Sequence, residues 1–166
     1  MTDTIIHSTL TFTQPFSDAE QQLLTPAAID FLQALVVRFA PERDRLLKAR
    51  QQRQRDYDRG ALPDFNAETT SIRENEWQVR PLPELLCDRR VEITGPPDRK
   101  MTINALNANV KVFMADFEDS LAPCWSKLIE GQQVLREAVA GTLRFTRDDG
   151  RIYQLRSDPA LLMCRV

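Results

Sequence analysis

The chain has 166 residues, the length of one domain or one and a fraction, and its 42% hydrophobic and 28% charged side chains are those of a globular protein that can bury a core. Net charge is -2, so no global field draws the chain to nucleic acid or an anionic membrane, and no apolar run reaches the ~20 residues of a membrane span. A single histidine, His7, excludes a Ser-His or Cys-His pair of the usual kind and a multi-histidine zinc site within this chain.

The N-terminus carries no basic stretch followed by a hydrophobic one, so no secretory signal is visible. His7 reads as a solvated tail residue. Cys87, Cys124 and Cys164 are odd in number and widely spaced, which is the usage of buried thiols in a reducing cytoplasm.

Ser17 and Glu20 form a capping-box pattern that predicts a short helix to Leu24. Thr25-Pro26 then supplies a cap and a first-turn proline. Ile29, Leu32, Leu35, Val36 and Phe39 follow at three- and four-residue steps and predict one buried helix face. Pro41 is expected to end that helix and open another, which Gly60 stops. Between Arg43 and Arg59 seven basic residues alternate with Glu42, Asp44, Asp56 and Asp58, and base-stacking aromatics are scarce. This pattern reads as a solvated helix face rather than a nucleic-acid surface.

From Ala61 to about Arg89 prolines break any helix, and the stretch reads as irregular chain. Phe65, Ile72, Trp77, Leu85 and Leu86 are apolar anchors expected to lie against a larger body. Val91 to Thr94 then reads as a strand, and Asp98 as the cap of a helix toward Asn107 with Met101, Ala105 and Leu106 on its apolar side. Val110 to Ala115 is a second strand. A helix is expected over Gln132 to Ala140 with Gly141 as its stop. Leu143 to Thr146 and Ile152 to Leu155 flank the hairpin signal Asp149-Gly150, and Leu161 to Cys164 is a third buried strand. Strand and helix alternate as in a parallel α/β sheet. A buried strand so close to the last residue reads as the front of a longer protein.

Ligands of parallel α/β folds bind at the carboxyl ends of the strands. There the sequence places Thr94-Gly95, the acidic block Asp116 to Ser120, and Arg165. In extended chain Asp116 and Glu118 share one side, and two such carboxylates require a shared cation, a positive side chain or a proton. Mg²⁺ is a plausible neighbour. The same acidic block also suits a turn, with Ser120 as turn former.

At these residues the chain resembles malate synthase, in its shorter A form. The run Asp88 to Met101, the segment Ile103 to Asn107 and the block Val112 to Ser120 are similar to the signature of that family, and the resemblance reaches from about Phe12 to the last residue. It implies condensation of acetyl-CoA with glyoxylate and water to malate and CoA in the glyoxylate bypass, with Mg²⁺ holding glyoxylate. It also implies a cytoplasmic enzyme. The implied architecture is a helical segment over residues 1–75 that clasps a TIM (β/α)8 barrel, whose first strands and helices occupy residues 76–166. Arg165 matches the family's catalytic arginine on the third barrel strand. Asp116 and Glu118 match carboxylates that hold the waters of Mg²⁺. The family's own metal ligands and its aspartate base have no counterpart here, so this partial barrel is expected to be inactive alone.

Three other readings stay open. A citrate-lyase-β-like CoA-ester lyase also has an acidic block followed by a small residue and proline, as in Glu118 to Pro123. A phosphoryl acceptor at Asp116 would expect Asp where Glu118 stands. A non-catalytic fragment or interaction module would use Arg43 to Arg59.

Overall fold

The computed structural model describes residues 10–166, so His7 lies outside the described residues. The chain divides into two compact units, the first extending to Arg80 and the second spanning Pro81–Val166.

The first unit is helical. Helix α1 (Asp18–Leu23) opens on the expected reciprocal cap: Glu20 N–H donates to Ser17 Oγ, and Ser17 N–H donates to Glu20 Oε2. Helix α2 (Pro26–Asp58) is capped by Thr25, whose Oγ1 accepts the Ala28 N–H, and has Pro26 in its first turn. It runs for 33 residues, straight through Pro41. The expectation of two helices is thereby corrected. A mid-helix proline costs ~3 kcal/mol through one lost hydrogen bond and a clash with the preceding turn. The helix continues on the strong helix formers that follow, Glu42, Arg43, Arg45, Leu46 and Leu47, with Arg45 forked onto Glu42 in the turn after the proline.

The C-terminus of α2 is a Schellman motif. Gly60 takes φ +97°, its N–H donates to Tyr57 O, and Ala61 N–H donates to Asp56 O. The expected buried face is corrected too. Ile29 is the buried residue of α2, while Leu32, Leu35, Val36 and Phe39 are exposed. A helix of roughly 50 Å offers more apolar stripe than six-residue α1 and five-residue α3 (Thr70–Glu74) can cover.

The stretch after Gly60 is less irregular than its prolines imply. Asn66 caps a 3-10 turn (Ala67–Thr69) that runs into α3, and a second turn spans Glu84–Leu86. Its anchors are not buried: Phe65, Ile72, Trp77 and Leu85 are exposed. Local bonds shape the segment instead, with Arg73 donating to Asn66 O and lying 5.1 Å from the Phe65 ring centre.

The second unit is α/β. Strands β1 (Glu92–Gly95), β2 (Val112–Asp116) and β5 (Leu161–Arg165) form a parallel sheet in the order β1-β2-β5. Helix α4 (Arg99–Leu106) links β1 to β2. Helix α5 (Trp125–Val139) and the antiparallel hairpin β3 (Arg144–Thr146)–β4 (Ile152–Gln154) fill the connection from β2 to β5. Gly150 takes the φ of +81° that the Asp149-Gly150 turn requires.

Asp98 caps α4 by accepting the Met101 N–H, as expected. Met101 itself is exposed, and Thr102, Ile103, Ala105 and Leu106 form the buried side. Helix α5 begins at Trp125, ahead of the expected start at Gln132, because Cys124 adopts an extended cap conformation directly after Pro123. The core holds two clusters, one around Leu106, Phe113 and Ala115, the other around Ile103, Val134 and Leu143. All three cysteines are free and exposed, which corrects the expectation of buried thiols: each sits on a loop, a cap or an edge strand. Among the described residues no helix is long and apolar enough to cross a membrane.

Candidate functional site at the carboxyl ends of the strands

Hydrophobic strand bodies carry the polar tips to one place. Val112, Phe113 and Ala115 are fully buried in β2, and the strand delivers Asp116 to its carboxyl end. Parallel pairing sets Asp116 opposite Arg165, the last residue of β5. The sequence positions are 49 apart, but the side chains form a forked pair. Arg165 Nε donates to Asp116 Oδ1 at 2.8 Å and Nη2 donates to Oδ2 at 2.5 Å.

The chain turns sharply after Asp116 and does not stay extended. Glu118 and Asp119 N–H groups donate to Asp116 Oδ1, each at 3.1 Å. The Ser120 N–H reaches Oδ2 at 3.2 Å and the Ser120 hydroxyl donates to the same oxygen at 2.7 Å. Both roles foreseen for the acidic block are therefore present: Asp116 forms the turn, and it also pairs with a cation. Glu118 and Asp119 lie outside the strand, each with a carboxylate oxygen 3.4 Å from Arg165 Nη2.

Asp116 is fully buried, and an unpaired charge there would be costly. The Arg165 hydrogen bonds hold its carboxyl well below the usual carboxylate range against the opposing effect of burial, helped by the Ser120 hydroxyl and the Asp119 N–H. The same pair raises the Arg165 guanidinium further above its ordinary value. Arg165 stays 40% exposed, and its Nη1 makes no hydrogen bond among the described residues. This leaves a fixed cation with a donor open to a ligand.

Beside the tip, a recess of about 210 Å³ is lined by Pro96, Pro97, Asp98, Ser120, Leu121 and Lys127. Its wall rests on a contact that sequence periodicity did not reveal. A Cβ at Gly131 of α5 would lie 2.8 Å from both Phe117 Cε1 and Pro97 Cγ, so glycine lets the loops after β1 and β2 close onto the helix. The signal was present as an isolated glycine within a helical run.

The donors available to Mg²⁺, the ion implied by the resemblance, differ among the acids. Asp116 has both oxygens occupied by hydrogen-bond donors and leaves no room for a metal-bound water. Glu118, with its side chain 57% exposed, fits that task. Among the described residues no group of three or more His, Cys, Asp or Glu side chains is placed to hold a metal ion.

Comparison with known proteins shows what the chain is similar to. Residues 8–71 match the family described as malate synthase, N-terminal domain. The chain is 60% identical over 157 residues to malate synthase A of Escherichia coli (strain K12), covering 95% of this chain and 30% of that protein. The chain matches the N-terminal portion of malate synthase. A malate synthase of Myxococcus xanthus is 49% identical over 144 residues, 87% of this chain and 27% of its own length. A glyoxysomal malate synthase of Glycine max is 47% identical over 150 residues, 89% of this chain and 27% of its own length. The chain thus spans less than a third of these malate synthases.

Proposed function

We propose that this chain contributes the charge-stabilising arginine to the malate synthase reaction, in which acetyl-CoA, glyoxylate and water give malate and CoA. The observation that carries the reading is the Asp116–Arg165 pair at the carboxyl ends of neighbouring parallel strands, in a chain 60% identical to malate synthase A. The sheet β1-β2-β5 is read as the first three strands of a (β/α)8 barrel, with the helices before Arg80 as its clasp. The compartment is read as the cytoplasm.

In this mechanism Arg165 acts through its free Nη1, donating to the oxygen on which negative charge develops as the acetyl methyl group becomes a nucleophile. A preorganised donor of this kind contributes most where water is scarce. Asp116 fixes the plane of the guanidinium. Glu118 accepts from ordered water beside it. When bound, Mg²⁺ supplies Lewis-acid polarisation of the glyoxylate aldehyde.

The test is a graft. The chain replaces the matched 157 residues of the Escherichia coli malate synthase A, and CoA release is followed with acetyl-CoA and glyoxylate. Turnover is expected, with Arg165→Lys reducing it about 100-fold or more. The 166-residue chain alone is expected to release no CoA. A folded graft without glyoxylate-dependent release would overturn the proposal, and carbon–carbon cleavage of malyl-CoA or citryl-CoA to acetyl-CoA and the 2-oxo acid, with no CoA released, would favour the lyase.

A further inference from the structure

We infer that Ser120 is a positioning residue for Arg165, acting through Asp116. Three carboxylates stand near one guanidinium. Asp116 holds it by two hydrogen bonds, and Glu118 and Asp119 each lie 3.4 Å from Nη2. The two competitors are exposed, Glu118 at 57% and Asp119 at 79%. Which carboxylate captures the arginine depends on how firmly the Asp116 carboxyl plane is set.

Its two oxygens are set unequally. Oδ1 accepts the N–H groups of Glu118 and Asp119, both at 3.1 Å. Apart from the arginine, Oδ2 depends on Ser120 alone, through a 3.2 Å bond from the N–H and a 2.7 Å bond from the hydroxyl. The hydroxyl is the shortest bond to Asp116 that does not come from Arg165. Without it, Oδ2 keeps one long backbone bond, the carboxyl turns about its Cβ–Cγ axis, and the fork opens toward Glu118 and Asp119. Ser120 also lines the recess beside the strand tip.

This inference rests on the catalytic reading of Arg165, yet the two fail separately. That reading fails on turnover of the graft, whereas this one fails on proton exchange in the chain itself. The measurement is solvent exchange of the Arg165 Nε–H in ¹⁵N-labelled chain, its resonance assigned by its loss in Arg165→Lys. Ser120→Ala is expected to speed that exchange about tenfold, the effect of losing one charge-assisted hydrogen bond, while Ser120→Thr restores the slow rate. Should Ser120→Ala fail to fold, Ser120→Cys, close in size and a poor donor, is expected to show the same acceleration. A merely structural serine would lower the melting temperature and leave the Nε–H rate within twofold of wild type, and that result would overturn the inference.

Discussion

Arg165 and Asp116 face each other across neighbouring parallel strands and share two hydrogen bonds, of 2.8 and 2.5 Å. The pair closes β5 onto β2 at the end of the sheet where the acidic turn begins, so it is both a clamp on the fold and the centre of the candidate site.

Acid should release that clamp. The native Asp116 carboxyl titrates well below its unfolded value of about 3.9. A depressed native value means the contribution is complete above the unfolded value, declines as pH falls below it, and is gone once pH passes the native one. Melting curves of wild type and Asp116→Asn should therefore differ most near neutral pH and converge as pH drops below about 4. A gap that stays constant down to the acid limit would contradict the pairing.

Gly131→Ala sets two opposing effects against each other. Alanine in a helix interior gains about 1 kcal/mol over glycine. The new Cβ, however, meets two ring carbons at 2.8 Å, and neither Phe117 nor Pro97 ends in a flexible chain. Overpacking costs about 1–3 kcal/mol, so the net sign should be destabilising. Urea titration reads it, and the added truncation Phe117→Leu should recover part of the loss if the clash is the cause.

Arg99 joins the two helices of the second unit. It forks onto Glu137 at 2.5 and 2.7 Å and donates to the Arg144 carbonyl at 3.1 Å, tying the start of α4 to the end of α5 and to β3. The two side chains remain about a third exposed, and solvent screening limits the gain. Arg99→Met should cost about 1–2 kcal/mol, and the loss should shrink in high salt. An unchanged urea midpoint would count against the tie.

Asn107 stands in for a backbone partner. Its Nδ2 donates to Gln154 O at 2.8 Å and its Oδ1 accepts the Arg156 N–H at 2.9 Å, docking the hairpin exit on the end of α4. Asn107→Ala should abolish slow exchange of the Arg156 amide, with a stability loss of about 1–2 kcal/mol. Asn107→Asp keeps the acceptor and should retain that protection while losing the bond to Gln154.

Local chemistry was legible in the residues themselves. The caps at Ser17, Thr25 and Asp98, the stops at Gly60 and Gly141 and the hairpin at Asp149-Gly150 all depend on neighbours a few positions away. The β-branched and apolar runs announced β1, β2 and β5, and the run of residues from Asp88 to Ser120 announced the similarity to malate synthase A.

Tertiary structure decided what proline, periodicity and charge leave open. Pro41 could end α2 or be absorbed by it, and only the folded chain shows the helix running through it. Periodicity marked an apolar face on α2 but not whether enough chain lies beside it to bury that face. The acidic tip could hold a metal's waters or make a turn. Only the parallel register, which sets Arg165 opposite Asp116 across 49 residues, determined that this one carboxylate is saturated and that its neighbours remain exposed. A strand's neighbours in the sheet are chosen by packing over the whole unit, and no short stretch of sequence encodes that choice.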